Sequence, residues 1–129
     1  MYDGGEKYRQ SWRQRAARHM ERLSARYEEG RRLAGECARL LADRYGAGRV
    51  ILIGSLCANA PRHEWPDIDL VVSDLPDARY FAALRDLYRL VPPGWEIDLI
   101  PWEDADPRLR AKAEEGVLLH APSPKDTRG

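Results

Sequence analysis

From Trp12 to Tyr45, apolar or small residues return every three or four positions: Trp12, Ala16, Met20, Leu23, Tyr27, Gly30, Ala34, Cys37, Leu41 and Tyr45. That is the period of one helical face, and it predicts a single long amphipathic helix. Arg15, Arg18, Arg22, Arg26 and Glu29 occupy the opposite positions. Gly30 is a candidate break, because a helix-interior Gly costs about 1 kcal/mol relative to Ala. Gly46 and Gly48 predict the stop.

The pattern then changes. Val50-Ile51-Leu52-Ile53 is a short continuous apolar run, as a buried strand has, and Gly54-Ser55 follows at once. Residues 56–66 read as a loop with a helical turn near its start, bounded by Pro61 and Pro66. Asp67 to Val72 reads as a second strand and Trp95 to Ile100 as a third. Between them a helix over 78–91 is predicted, with Asp77 as its N-cap and Tyr80, Phe81, Leu84, Leu87, Tyr88 and Val91 on one side. Asp106-Pro107 predicts the start of a short helix, Gly116 its end, and Val117-Leu118-Leu119 a last strand. The order α-β-β-α-β-α-β describes an α/β (α+β) domain with a small mixed sheet flanked by helices. The expected division is an amphipathic helical extension over 1–32, a folded domain over 33–120 and a frayed tail over 121–129.

Length and charge narrow the class. The 129 residues suit one domain with an added arm. No apolar run approaches a membrane span, and residues 1–10 lack the apolar stretch of a secretory signal. Cys37 and Cys57 form no C-x-x-C pair, so reduced thiols in a cytoplasmic protein are expected. The formal net charge of zero hides an uneven distribution. Residues 1–32 carry nine basic and five acidic side chains, whereas residues 67–106 carry three and ten. A concentrated negative region invites a cation, although a solvated acidic face gives the same count.

The candidate chemistry lies where the acid is concentrated. Asp67 and Asp69, two apart on a strand, share a face. Asp98 interrupts an otherwise apolar strand. Carboxylates on neighbouring strands repel, so without a cation at least one should have a raised pKa. With Mg²⁺ they become the hard oxygen ligands that ion prefers. Gly54-Ser55 supplies a complementary element: Gly lets a phosphate approach the backbone, and the Ser hydroxyl and following N–H groups can donate to it. Together the elements suit in-line displacement at a nucleoside triphosphate. Each has a plainer reading alone: Gly-Ser as a turn, Asp-x-Asp as an exposed strand end, Asp98 as an ion-pair partner of Arg89 or Arg49.

Gly54-Ser55, Asp67-Ile68-Asp69-Leu70-Val71-Val72 and Glu96-Ile97-Asp98-Leu99-Ile100, in that order, resemble the DNA polymerase beta-like nucleotidyltransferases. The small size, and the ending Glu114-Glu115-Gly116-Val117-Leu118-Leu119, resemble their minimal branch, which includes MntA-type antitoxins. The resemblance spans about residues 40–120. It implies a nucleotidyltransferase that moves AMP from ATP to a hydroxyl acceptor. Gly54 and Ser55 would bind the nucleotide, and Asp67, Asp69 and Asp98 would be the catalytic ligands of two Mg²⁺ ions. It further implies a HEPN-domain toxin as protein partner. Two features depart from the branch. The loop 56–66 is one residue longer than usual, and Ala58-Asn59-Ala60 stands where Ala-Arg-Gly is common, leaving Arg62 as a candidate substitute.

The helix stripe extends further than the folded domain can cover, so a partner protein or a second copy of the chain is expected on it. Glu21, Glu28 and Glu29 interleave with the arginines there, which argues against nucleic acid. The alternative function is a non-catalytic module of the same fold that neutralises a partner by binding. A transferase of small molecules, as in the aminoglycoside enzymes, ranks third because no substrate domain is visible in this length.

Overall fold

The computed structural model describes residues 4–58, 60–62 and 64–122. The expectations for Asn59 and for most of the tail lie outside these residues. Helix α1 runs from Gly4 to Tyr45, 42 residues without interruption. At 1.5 Å per residue that is about 63 Å of rod. It ends where Gly46 takes a left-handed φ of 67° and the Ala47 N–H bonds the Leu41 carbonyl.

Gly30 is not a break. A Cβ there would stand 2.7 Å from Leu56 Cδ2 and 2.8 Å from Trp95 Cη2. The missing side chain is what lets the helix lie close against the loops that carry those two residues. Packing begins earlier than residue 33: Leu23 and Tyr27 are fully buried in the main core. Before Leu23 the helix stands clear, and Tyr8 and Trp12 are exposed.

Strands β1 (Val50–Ile53), β2 (Ile68–Val72), β3 (Ile97–Pro101) and β4 (Val117–His120) form one mixed sheet in the order β3-β2-β1-β4. β1 is antiparallel to β2 and β4, while β2 and β3 are parallel. Helix α2 (Tyr80–Leu90) makes the crossover between the parallel pair. Asp77 does not cap it. Asp77–Arg79 form a 3₁₀ turn instead, and no side chain caps α2. Nor does its predicted apolar side close completely, since Phe81 is 79% exposed. Helix α3 (Pro107–Glu114) starts as its sequence predicts: Asp106 Oδ1 accepts from the Leu109 N–H at 2.8 Å, with Pro107 at the first position.

Period-two alternation divides the strand residues between two faces. Val50, Leu52, Ile68, Leu70, Val72, Ile97 and Leu99 join Leu33, Leu41 and Leu87 of α1 and α2 in the large core. Ile51, Ile53 and Val71 join Ala113 of α3 in a smaller one. Asp69 falls on the α3 face, two residues before Val71 along the strand. Among the described residues no helix is long and apolar enough to cross a membrane.

Candidate functional site

Sheet register brings two of the predicted carboxylates together. Asp69 of β2 pairs with Asp98 of β3 and with Ile53 of β1, so both aspartates project from the same face at neighbouring positions. Asp67 precedes β2 and is exposed. Asp69 is only half accessible. Burial, then the nearby Asp98, then Asp67, push its carboxyl up to about 6. Neither Arg89 nor Arg49 pairs with Asp98. The ion pairs among the described residues are Arg32–Glu36 and Arg44–Asp86, and neither includes one of the three aspartates.

Gly54 joins this acidic pair to the turn that follows β1. It starts a 3₁₀ turn, Gly54–Cys57, and has a φ of +82°, a conformation that side chains disfavour. A Cβ there would collide with the Asp69 carboxylate. Only a glycine fits this contact, and the contact seats the start of the turn directly beside the charge. Ser55 follows, partly exposed. On the other side of Gly54 lies an open cavity of about 500 Å³, lined by Ile53, Gly54, Ser55, Cys57, Ala58, Arg62, Glu64, Lys112, Glu115 and Gly116. That volume lies in the range of small-ligand sites. Asp67, Asp69 and Asp98 are not part of its wall, and Ile53 and Gly54, which line it, lie next to Asp69.

Helix α1 holds this arrangement from behind. Arg31 donates from Nε to the Leu56 carbonyl at 3.0 Å and from a terminal nitrogen to the Ala58 carbonyl at 3.1 Å, fixing the end of the 3₁₀ turn. The Tyr27 hydroxyl accepts from the Arg62 backbone N–H at 3.2 Å. Arg26 donates to the Gly94 carbonyl at 2.7 Å and stacks over buried Trp95, 3.5 Å from the ring centroid, with exposed Trp65 further out at 5.4 Å. Trp95 is therefore core and Trp65 rim. The Cys57 thiol donates to the Leu52 carbonyl at 3.0 Å, and burial raises its pKa.

Sequence reasoning missed Arg26, Arg31 and Lys112. Arg26 and Arg31 each adjoin a residue of the buried stripe, Tyr27 and Gly30, and that adjacency was the available signal. Lys112 carried none, since only the packing of α3 places it at the cavity.

The donor set suits Mg²⁺ chemically: three carboxylates, no ion-pair partner among the described residues, and one pKa raised by burial and then by the neighbouring carboxylates. Among the described residues no group of three or more His, Cys, Asp or Glu is already arranged to hold a metal ion. Mg²⁺ typically takes one or two carboxylates and completes its shell with substrate phosphates and water. Asp69 and Asp98 can supply that share.

No protein-family model matches the chain, and no curated protein matches it. A solved structure does. A chain in the crystal structure of the toxin–antitoxin pair MntA–HpeT, in a mutant with two Asp-to-Glu substitutions, is similar with a TM-score of 0.56 and 18% identity. The match covers 74% of this chain and 78% of that one. At that identity the likeness establishes the fold alone, a mixed four-stranded sheet with flanking helices.

Proposed function

We propose that this protein is a Mg²⁺-dependent nucleotidyltransferase that moves AMP from ATP to a hydroxyl of a partner protein. The observation that carries the reading is Gly54, whose side-chain-free backbone joins the turn at Ser55 to the Asp69–Asp98 pair. Gly54 and Ser55 bind the triphosphate through backbone and hydroxyl donors. Asp67, Asp69 and Asp98 hold Mg²⁺, which supplies charge neutralisation at the phosphates and eases ionisation of the attacking hydroxyl. Asp98, on the edge strand β3, also accepts the proton of the acceptor hydroxyl. The acceptor oxygen bonds to the α-phosphorus, the bond from that phosphorus to the bridging oxygen breaks, and pyrophosphate leaves with the electron pair.

Two observations support a protein as acceptor. The free part of α1 exposes Tyr8, Trp12 and Met20, large apolar side chains suited to a protein surface. The similar solved structure is a toxin–antitoxin pair, and its two substituted aspartates stand two residues apart, as Asp67 and Asp69 do. By this reading the partner is a HEPN-type toxin and the protein its antitoxin. A non-catalytic binding module is the second reading, favoured by the longer loop 56–66 and by Ala58-Asn59-Ala60 where the resembling branch commonly has Ala-Arg-Gly.

Calorimetric titration of ATP, with and without Mg²⁺, tests the first reading against the second. Binding that needs both Mg²⁺ and the aspartates, and that disappears in Asp67→Ala/Asp69→Ala, supports the transferase. A folded protein that takes up no ATP supports the binding module.

A further inference from the structure

The cavity beside Gly54 contains charges that, Arg62 apart, the predicted site does not use. Arg62 and Lys112 line it, and so do Glu64 and Glu115. None of these four takes part in an ion pair among the described residues, so the charges are not spent on one another. Both cations arrive on supported backbone. The Arg62 backbone is tied to the Tyr27 hydroxyl of α1. Lys112 sits in the last turn of α3, next to Ala113, which is buried against the sheet with Ile51, Ile53 and Val71. That face of the sheet also carries Asp69. Helix α3 therefore places Lys112 at the cavity that opens beside Ser55.

We propose that Lys112, assisted by Arg62, binds the β- and γ-phosphates of the nucleotide, the part that leaves as pyrophosphate. The inference rests on the nucleotidyltransferase reading and adds to it a phosphate-binding residue outside its sequence motif. The charges on the cavity wall favour such a residue. The Gly54-Ser55 turn offers neutral donors, while Glu64 and Glu115 repel a polyanion from the same cavity. Two cations on the same wall as two carboxylates make the site selective for chain length. A triphosphate reaches the cations and gains charge-assisted hydrogen bonds, whereas a monophosphate held near Asp69 does not. Asn59 stands where the resembling family commonly has an arginine, and Lys112 supplies a positive charge from a different element.

The test compares ATP, AMP and inorganic triphosphate, each titrated with Mg²⁺ into the full chain and into Lys112→Gln, Arg62→Gln and Glu115→Gln. Lys112→Gln is expected to weaken ATP and triphosphate about tenfold and leave AMP unchanged, the loss of one charge-assisted contact. Arg62→Gln should act in the same direction. Glu115→Gln should act oppositely and tighten ATP, a sign that a merely structural role for these residues does not give. Unchanged thermal melting of Lys112→Gln establishes that the variant is folded. Should the parent chain bind ATP while Lys112→Gln binds it equally well, or lose AMP as much as ATP, this inference fails and the transferase reading stands. Absence of ATP binding in the parent overturns both.

Discussion

On one side of the sheet, Val50, Leu52, Ile68, Leu70, Val72, Ile97 and Leu99 disappear beneath α1 and α2. On the other, Ile51, Ile53 and Val71 meet the eight-residue α3 and Trp102, and Asp69 and Asp98 stand beside that smaller cover. The same strands make both faces, and a one-residue step moves a side chain from one to the other. Ile68 and Leu70 are wholly buried, while Asp69 between them is half open. The packed face can therefore stabilise the sheet while the other keeps charges that repel one another. Few residues near Asp69 can be exchanged without touching the proposed chemistry, and few near Leu70 without touching the core.

Substitution at adjacent positions breaks that comparison most sharply. Asp67→Ala/Asp69→Ala is expected to reduce AMP transfer by more than about a hundredfold, because it removes proposed metal ligands. Its melting temperature should stay level or rise. Leu70→Ala, the next residue along the strand, should cost about 2–5 kcal/mol of folding free energy, as truncation of a fully buried Leu does. Denaturant unfolding of both variants beside a transfer assay checks the separation. An aspartate double variant that is as unstable as Leu70→Ala would contradict it.

Glycine substitutions in α1 extend the comparison to its packed side. Ala is normally the better helix former by about 1 kcal/mol. At Gly35 a Cβ meets nothing within 4 Å, so Gly35→Ala should stabilise by about that amount. At Gly30 the added Cβ crowds Leu56 and Trp95 from below 3 Å, and overpacking costs about 1–3 kcal/mol. Gly30→Ala should therefore destabilise, opposite in sign to its neighbour, and it should also disturb the Gly54–Cys57 turn that Leu56 belongs to. Chemical denaturation of the two variants reads the sign directly.

These positions also show how far the sequence could be read. The strands were visible because continuous apolar runs and period-two alternation are local properties of the chain. The aspartates were visible because two on one strand and one inside an apolar strand conflict with burial. Asp69 carries the strain that conflict implies. Gly30 was misread as a break because propensity concerns an isolated helix, whereas its role depends on Leu56 and Trp95, distant in sequence. Asp77 was misread as a cap because the chain completes a 3₁₀ turn before α2 begins. Lys112 and Arg31 depend wholly on which elements pack together, and no local pattern contains that information.

The smallest effect separates the faces by pH alone. The Asp69 carboxyl has an ordinary value of 3.8 and is raised to about 6 in the fold, by burial first and then by Asp98 and Asp67. A raised carboxyl means that the folded chain binds the proton more tightly than the unfolded one. Its contribution to stability is complete below about 3.8 and is lost as pH rises through about 6. Asp69→Asn, which keeps the shape and removes the charge, should therefore match the parent near pH 4 and exceed it above pH 6. Allowing for solvent screening of a half-exposed group, the gain is about 1 kcal/mol. The curves must be measured in chelator, because Mg²⁺ offsets the same repulsion and should stabilise the parent above pH 6 but not the variant. Leu70→Val, on the opposite face, should shift stability by the same amount at every pH. A pH-dependent difference that appears with Asp69→Asn, disappears on adding Mg²⁺ and is absent from Leu70→Val would assign the unrelieved charge to the face that α3 leaves open.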